Sequence, residues 1–260
     1  MEIERPPLPA ESPVDQPQTR VSTPRDALAA TPWLAGVPAA TIDRLAGHSV
    51  LHRVPSGSIL FEQAETPAFA KLLVAGSVEL LGLRGAEETL VELVQPVDLL
   101  LPAAVLNQQP YLLQARVLDE AQLLLIQADM FRVAVAADHA LCLAVLACQA
   151  AQFRRQVKHV KNVKLRSAEE RVGSYLMRLV EKAPPGLPVR LALEKRLIAS
   201  QLGMTRETFS RTLAAMPRHG LRVSGDLVTA IDAVAALERF PPDPLTDGPE
   251  PIAPLPLERI

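Results

Sequence analysis

The chain has 260 residues, room for two ordinary domains or one large one. Its composition is 48% hydrophobic, so both halves can build a core, yet no apolar run is long enough to cross a bilayer. The start, MEIERPPLPA, lacks the charged-then-apolar pattern of a signal, and a soluble, cytoplasmic protein is expected. The formal net charge of -2 hides an asymmetry: residues 138–240 hold 17 Lys and Arg against 9 Asp and Glu, and residues 29–137 hold 6 against 11. A basic C-terminal half suits a polyanion partner, because Lys and Arg gain by releasing phosphate counterions. There is no Ser/His/Asp arrangement, P-loop, paired metal motif or nucleotide-binding Gly loop, which argues against an enzyme.

In chain order, residues 1–28 are Pro-rich and read as a disordered tail. Trp33 to Ala46 reads as a short helical segment, with Thr41 as its cap. From about 47 to 128 the texture is short Val, Leu and Ile runs such as SILFEQ and ETLVELVQ. Gly57, Gly76, Gly82, Pro96 and Pro102 punctuate them, the pattern of an antiparallel barrel or sandwich in a domain over 29–135. Residues 130–164 contain no Gly and no Pro and predict a long helix, or a short one followed by a long one, with the long part over 136–164. Leu141, Val145, Cys148, Gln152 and Arg155 alternate spacings of four and three there, the stripe two packed helices use, and a homodimer seam is the expectation. Residues 165–240 form a small helical domain: Ser167 and Glu170 have capping-box spacing, and Gly225-Asp226 marks a hairpin. Residues 241–260 read as a second disordered Pro-rich tail.

The stretch QLGMTRETFSRTLAAM, residues 201–216, carries the chemistry. Leu197, Ile198 and Leu202 supply packing positions on a first helix, and Ala199 a small residue where two helices cross. Gly203 tolerates a positive φ at the turn, and Thr205 caps the second helix. Phe209, Leu213 and Met216 then face inward, leaving Arg206, Glu207, Ser210 and Arg211 outward near the end that enters a DNA groove. Arg can bond guanine O6 and N7 bidentately, Glu can accept from cytosine N4, and Thr205 and Ser210 can donate to phosphate. The basic run from Arg154 through Lys158, Lys161 and Lys164 to Arg166 adds to the field or is a solvated helix face.

With LEKRLI before it and the hairpin after it, this stretch resembles the DNA-binding end of the Crp/Fnr family of bacterial transcription regulators. The family pattern of LG, a hydrophobe, Thr or Ser, then R-E-T/S-x-S/G-R stands here as Leu202 to Arg211. The resemblance covers about residues 30–235. It implies an α+β fold: an N-terminal β-roll of the cyclic-nucleotide-binding type, a long dimerisation helix and a C-terminal winged helix-turn-helix. It also implies a homodimer on a palindromic operator, with Arg206, Glu207 and Arg211 at base edges and RNA polymerase as a further partner. HVKNVKLRSAEERVGSYLMRLV looks most like a branch that includes regulators of ferrous-iron transport.

The sensor half departs from the pattern. The family's nucleotide pocket uses a Gly-Glu pair after an Asp, then an Arg that grips the cyclic phosphate. Here Asp98 is present, but Leu101 and Pro102 stand at the Gly-Glu positions and Tyr111 at the Arg. A cyclic phosphate buried against Leu and Tyr leaves its charge unpaired, so cAMP is not expected to bind. No Cys precedes Cys142, which removes the family's N-terminal iron–sulfur cluster. The effector stays open. Haem is one option, with His48, His52, His139, Cys142 and Cys148 as candidate ligands; thiol oxidation at Cys142 or Cys148 is another, with Arg154 and Arg155 near enough to favour a Cys148 thiolate. Six residues apart on a helix, the two cysteines point about 240° apart and cannot bond each other. Two small buried hydrophobes are the plain alternative.

Overall fold

The computed structural model describes residues 21–184, 186–191 and 193–252. Three helical pieces lead in: α1 (Pro24–Ala29), a 3-10 turn at Pro32–Leu34 and α2 (Ala39–Gly47). An antiparallel roll follows, with β1 (Ser49–Val54), β2 (Ile59–Phe61), β3 (Phe69–Arg84), β4 (Glu87–Val94), β5 (Asp98–Leu99), α3 (Pro102–Asn107) and β6 (Gln114–Gln127). Its strand order is β1-β6-β3-β4, with β2 also on β6 and β5 on β3. The long strands β3 and β6 pair over most of their lengths and hold the roll together, with Leu72 opposite Leu124 and Leu73 opposite Leu123. Their register shifts around Gly76, where φ is +83° and a Cβ would stand 2.3 Å from the Glu120 carbonyl oxygen. Only glycine fits that approach.

Helix α4 (Ala128–Ala137) and the 27-residue α5 (His139–Leu165) meet at Asp138, whose side chain accepts from the Leu141 amide and starts the second helix. No single helix among the described residues is long and apolar enough to cross a membrane. After a two-residue break comes α6 (Ala168–Glu181), opened by a full capping box between Ser167 and Glu170. The C-terminal unit continues with β7 (Val189–Arg190), α7 (Lys195–Gln201), α8 (Arg206–Ala215), β8 (Leu221–Ser224), β9 (Leu227–Ala230), α9 (Ala233–Arg239) and α10 (Pro244–Asp247). Its core gathers Val172, Leu176, Ile198, Leu202, Phe209, Met216, Leu221 and Val228. The chain is thus α+β: a roll, a long helix and a helix-turn-helix unit with a hairpin wing.

Four expectations are corrected. Thr41 lies inside α2 rather than capping it, and its hydroxyl donates to the Asp138 carboxylate. Residues 21–28 are ordered: Thr23 caps α1, Pro24 takes its first turn, and Ala27 and Leu28 are buried. Residues 241–252 are ordered as well, because their acidic groups find basic partners on α5 and α6. The remainder of both expected tails, 1–20 and 253–260, lies outside the described residues. The fourth correction concerns the seam. Leu141, Val145 and Cys148 are fully covered inside their own chain, packed with Trp33, Phe131 and Leu99, and Gln152 donates to Leu99 and Asp98. They face the roll because the lead-in helices and β5 supply the apolar surface that stripe needs. The free face of α5 is the other one: Cys142, Leu146, Phe153, Val157 and Val160 are exposed.

Candidate nucleic-acid interface and its link to the roll

The helix-turn-helix is built from local rules. α7 ends in a Schellman turn: the Gly203 amide donates to the Ser200 carbonyl at 2.9 Å and the Met204 amide to the Ala199 carbonyl at 3.0 Å. Gly203 sits at φ +64° to close it. Thr205 then caps α8, its hydroxyl accepting from the Thr208 amide at 3.2 Å. Phe209 and Met216 are buried, which locks the rotation of α8 and leaves Thr205, Arg206, Glu207, Ser210 and Arg211 exposed together. Hydrogen bonding to its own backbone amide and to Thr205 holds the Glu207 carboxyl below the usual carboxylate range, so it stays an acceptor. Arg211 rests on the Thr208 hydroxyl at 3.3 Å.

Sequence reasoning missed the groups that orient this surface. Arg171 on α6 donates to the Val163 carbonyl at 3.0 Å and reaches the Gly203 carbonyl at 3.5 Å, tying the long helix and the turn together. Leu197 of α7 buries against Leu81 and Leu90 of the roll, and the Leu90 amide donates to the Ser200 hydroxyl at 2.9 Å. A Leu every few residues carries no sign of which distant strand it will meet, so neither contact was legible beforehand.

The roll interior is packed. Tyr111 is buried and stacks on Phe61 with ring centroids 3.7 Å apart. Leu100, Val54, Val78 and Leu123 fill the space around them. Lys71 points its ammonium at the Tyr111 hydroxyl (3.4 Å) and over both rings. Burial lowers its pKa, against the raising effect of Glu65. Leu101 keeps φ +45°, a left-handed conformation, at the position where the resemblance expects Gly, and Pro102 is buried next to it. Leu101, Pro102 and Tyr111, at the positions where the resemblance expects Gly, Glu and Arg, therefore do not fit a cyclic nucleotide: none offers a carboxylate to a ribose or a guanidinium to a phosphate.

The candidate haem and redox residues lie on two parts of the fold: His48 and His52 at the start of the roll, and His139, Cys142 and Cys148 on α5. His48, His52, His139 and Cys142 are exposed, and Cys148 is buried, its thiol donating to Asp98 at 3.3 Å. Burial, then the Asp98 carboxylate, push the Cys148 thiol up, which overturns the expected thiolate: Arg155 is spent on Asp98 and Glu92 instead. The Asp98 group is a junction, for Gln152 and Arg155 of α5 both donate to it and tie the long helix to the roll.

Comparison with known proteins agrees with this architecture. A Crp-like helix-turn-helix domain model matches residues 170–240, and a cyclic nucleotide-binding domain model matches residues 51–138. The nitrogen fixation regulation protein FixK of Azorhizobium caulinodans is 30% identical over 115 residues, 42% of this chain and 46% of that protein. The match thus spans about half the length of the curated relative. FixK2 from Bradyrhizobium japonicum superposes with a TM-score of 0.61 at 18% identity, over 75% of this chain and 98% of that one. The c-di-GMP-responsive global regulator CLP of Xanthomonas campestris gives 0.63 at 17% identity, over 74% and 99%. At these identities the two structures speak for the fold.

Proposed function

We propose that the chain is a member of the Crp/Fnr family and a sequence-specific DNA-binding transcription regulator rather than an enzyme, acting as a homodimer on a palindromic operator and answering to a signal other than cAMP. One observation carries the reading: Arg206, Glu207, Ser210 and Arg211 stand exposed on one capped helix whose opposite face is locked in a core. A helix presented that way enters the major groove by its N-terminal end. Arg206 and Arg211 would take guanine edges, Glu207 a cytosine amino group, and Thr205 and Ser210 the phosphates.

The free apolar face of α5 supports the dimer. Cys142, Leu146, Gln149, Phe153, Val157 and Val160 follow spacings of three and four residues, the repeat of a two-helix seam. Two copies joined there present two reading helices related by a two-fold axis, which a palindromic site mirrors. The stacked, buried pair of Tyr111 and Phe61 in the roll core supports the signal reading, since neither side chain offers a positive charge to a cyclic phosphate.

The test is fluorescence anisotropy on sites selected from a random duplex pool. Arg206→Ala is expected to lose about 1–3 kcal/mol of base discrimination while keeping salt-sensitive general binding. Unchanged selectivity would remove the groove assignment, and binding insensitive to salt would remove the DNA reading altogether.

A further inference from the structure

We propose that residues 243–252 form an intramolecular strap that fixes the angle between the long helix and the helix-turn-helix unit. The backbone link between them is Arg166, in extended conformation at φ −114° and ψ 140°, and Ser167, the cap of α6; beside it the Arg171 side chain of α6 holds the Val163 carbonyl of the long helix. Rotation there is the simplest way to move the reading helix relative to the rest of the chain, because hinges are a few residues at element ends.

The strap crosses that joint. Asp247 accepts from Arg166 twice, at 2.8 and 2.7 Å, and from Arg178 of α6 at 2.6 Å, and its side chain is only 5% exposed. One carboxylate thus clamps a group at the break to a group three turns into the next helix. Further along, Glu250 accepts from Arg154 at 2.8 and 2.9 Å and pairs with Lys158 at 2.5 Å, both on α5. The Gly248 carbonyl accepts from Lys158 at 3.0 Å. Both ends of the strap are seated. Phe240 is buried against Gly173 of α6, where a Cβ would come within 2.4 Å of its ring. Ile252 packs on the core that holds Trp33.

Swinging α6 about Arg166 and Ser167 therefore breaks the Asp247 clamp or drags Ile252 from its seat. Both carboxylates are ionised at neutral pH. Hydrogen bonds from Arg154 and Lys158 hold Glu250 down at about 2. Burial acts to raise Asp247, but the bonds from Arg166 and the Asp243 amide, with the Arg178 charge, leave it below the usual range. The clamp is thus charged at neutral pH, and an ionic competitor or loss of the carboxylates is what opens it. This reading concerns the joint alone and does not depend on what the C-terminal unit binds.

The test is limited trypsinolysis of the full chain. In Asp247→Asn/Glu250→Gln, cleavage at Lys164 and Arg166 is expected to run at least tenfold faster than in the parent, with cleavage at Arg190 and Arg222 inside the C-terminal unit unchanged. As Arg166 is itself a cut site, hydrogen exchange across the α5–α6 joint is measured in parallel and is expected to speed up there alone. Unchanged cleavage and exchange at the joint would overturn the proposal. So would an equal rise at Arg190 and Arg222, which would mean general loosening of the unit.

Discussion

Phe153→Ala probes the dimer reading most directly. Phe153 sits on the free face of α5 and is 70% exposed in the single chain. A Phe side chain presents roughly 200 Å² when fully open, so roughly 140 Å² waits to be covered in each copy. Burying a whole Phe is worth about 1.5–3 kcal/mol, and this fraction of one about 2 kcal/mol. A two-fold seam uses the residue twice, so the variant should lose about 4 kcal/mol of dimer stability, close to a thousandfold in Kd. Mass photometry from nanomolar to micromolar concentration reads this as a shift from dimer to monomer. Leu187→Ala, exposed in the loop between α6 and β7, is the control and should leave the distribution unchanged. A Phe153→Ala protein that dimerises as tightly as the parent would refute the seam, as would dissociation equally strong in the control.

Two further outcomes are expected. Gly203→Ala should lower unfolding stability by about 1–2 kcal/mol in a denaturant titration, because φ there is +64° and the new Cβ would meet Val163 at 3.0 Å; no change would mean the turn relaxes freely. Isothermal calorimetry with cAMP should show no binding at micromolar concentrations, since Tyr111 and Phe61 fill the roll; a micromolar Kd would show that the aromatic stack moves aside.

The helix-turn-helix was legible residue by residue. Its cap, its glycine turn and its buried face depend on neighbours no more than a few positions away, so Thr205, Gly203 and Phe209 announce their roles in the sequence itself. The capping box at Ser167 and Glu170 and the hairpin at Gly225-Asp226 are legible for the same reason. The long helix was legible as a helix but not as a surface. Two stripes along it carry apolar residues at workable spacing, and periodicity alone could not say which one the roll would cover. The Pro-rich end misled in a similar way. Its composition promised little to bury, but composition does not register a carboxylate that meets two guanidinium groups 69 and 81 positions away in the chain.

The sequence by itself determined the helix-turn-helix and the presence of Leu101, Pro102 and Tyr111 where the family resemblance expects Gly, Glu and Arg, because both follow from which side chains stand at fixed local offsets. Tertiary structure decided which face of α5 is free, that Cys148 is buried beside Asp98 rather than poised as a thiolate, and that Asp247 and Glu250 cross the joint. Those outcomes are settled by burial and charge pairing between distant segments, and neither quantity exists until the chain has folded.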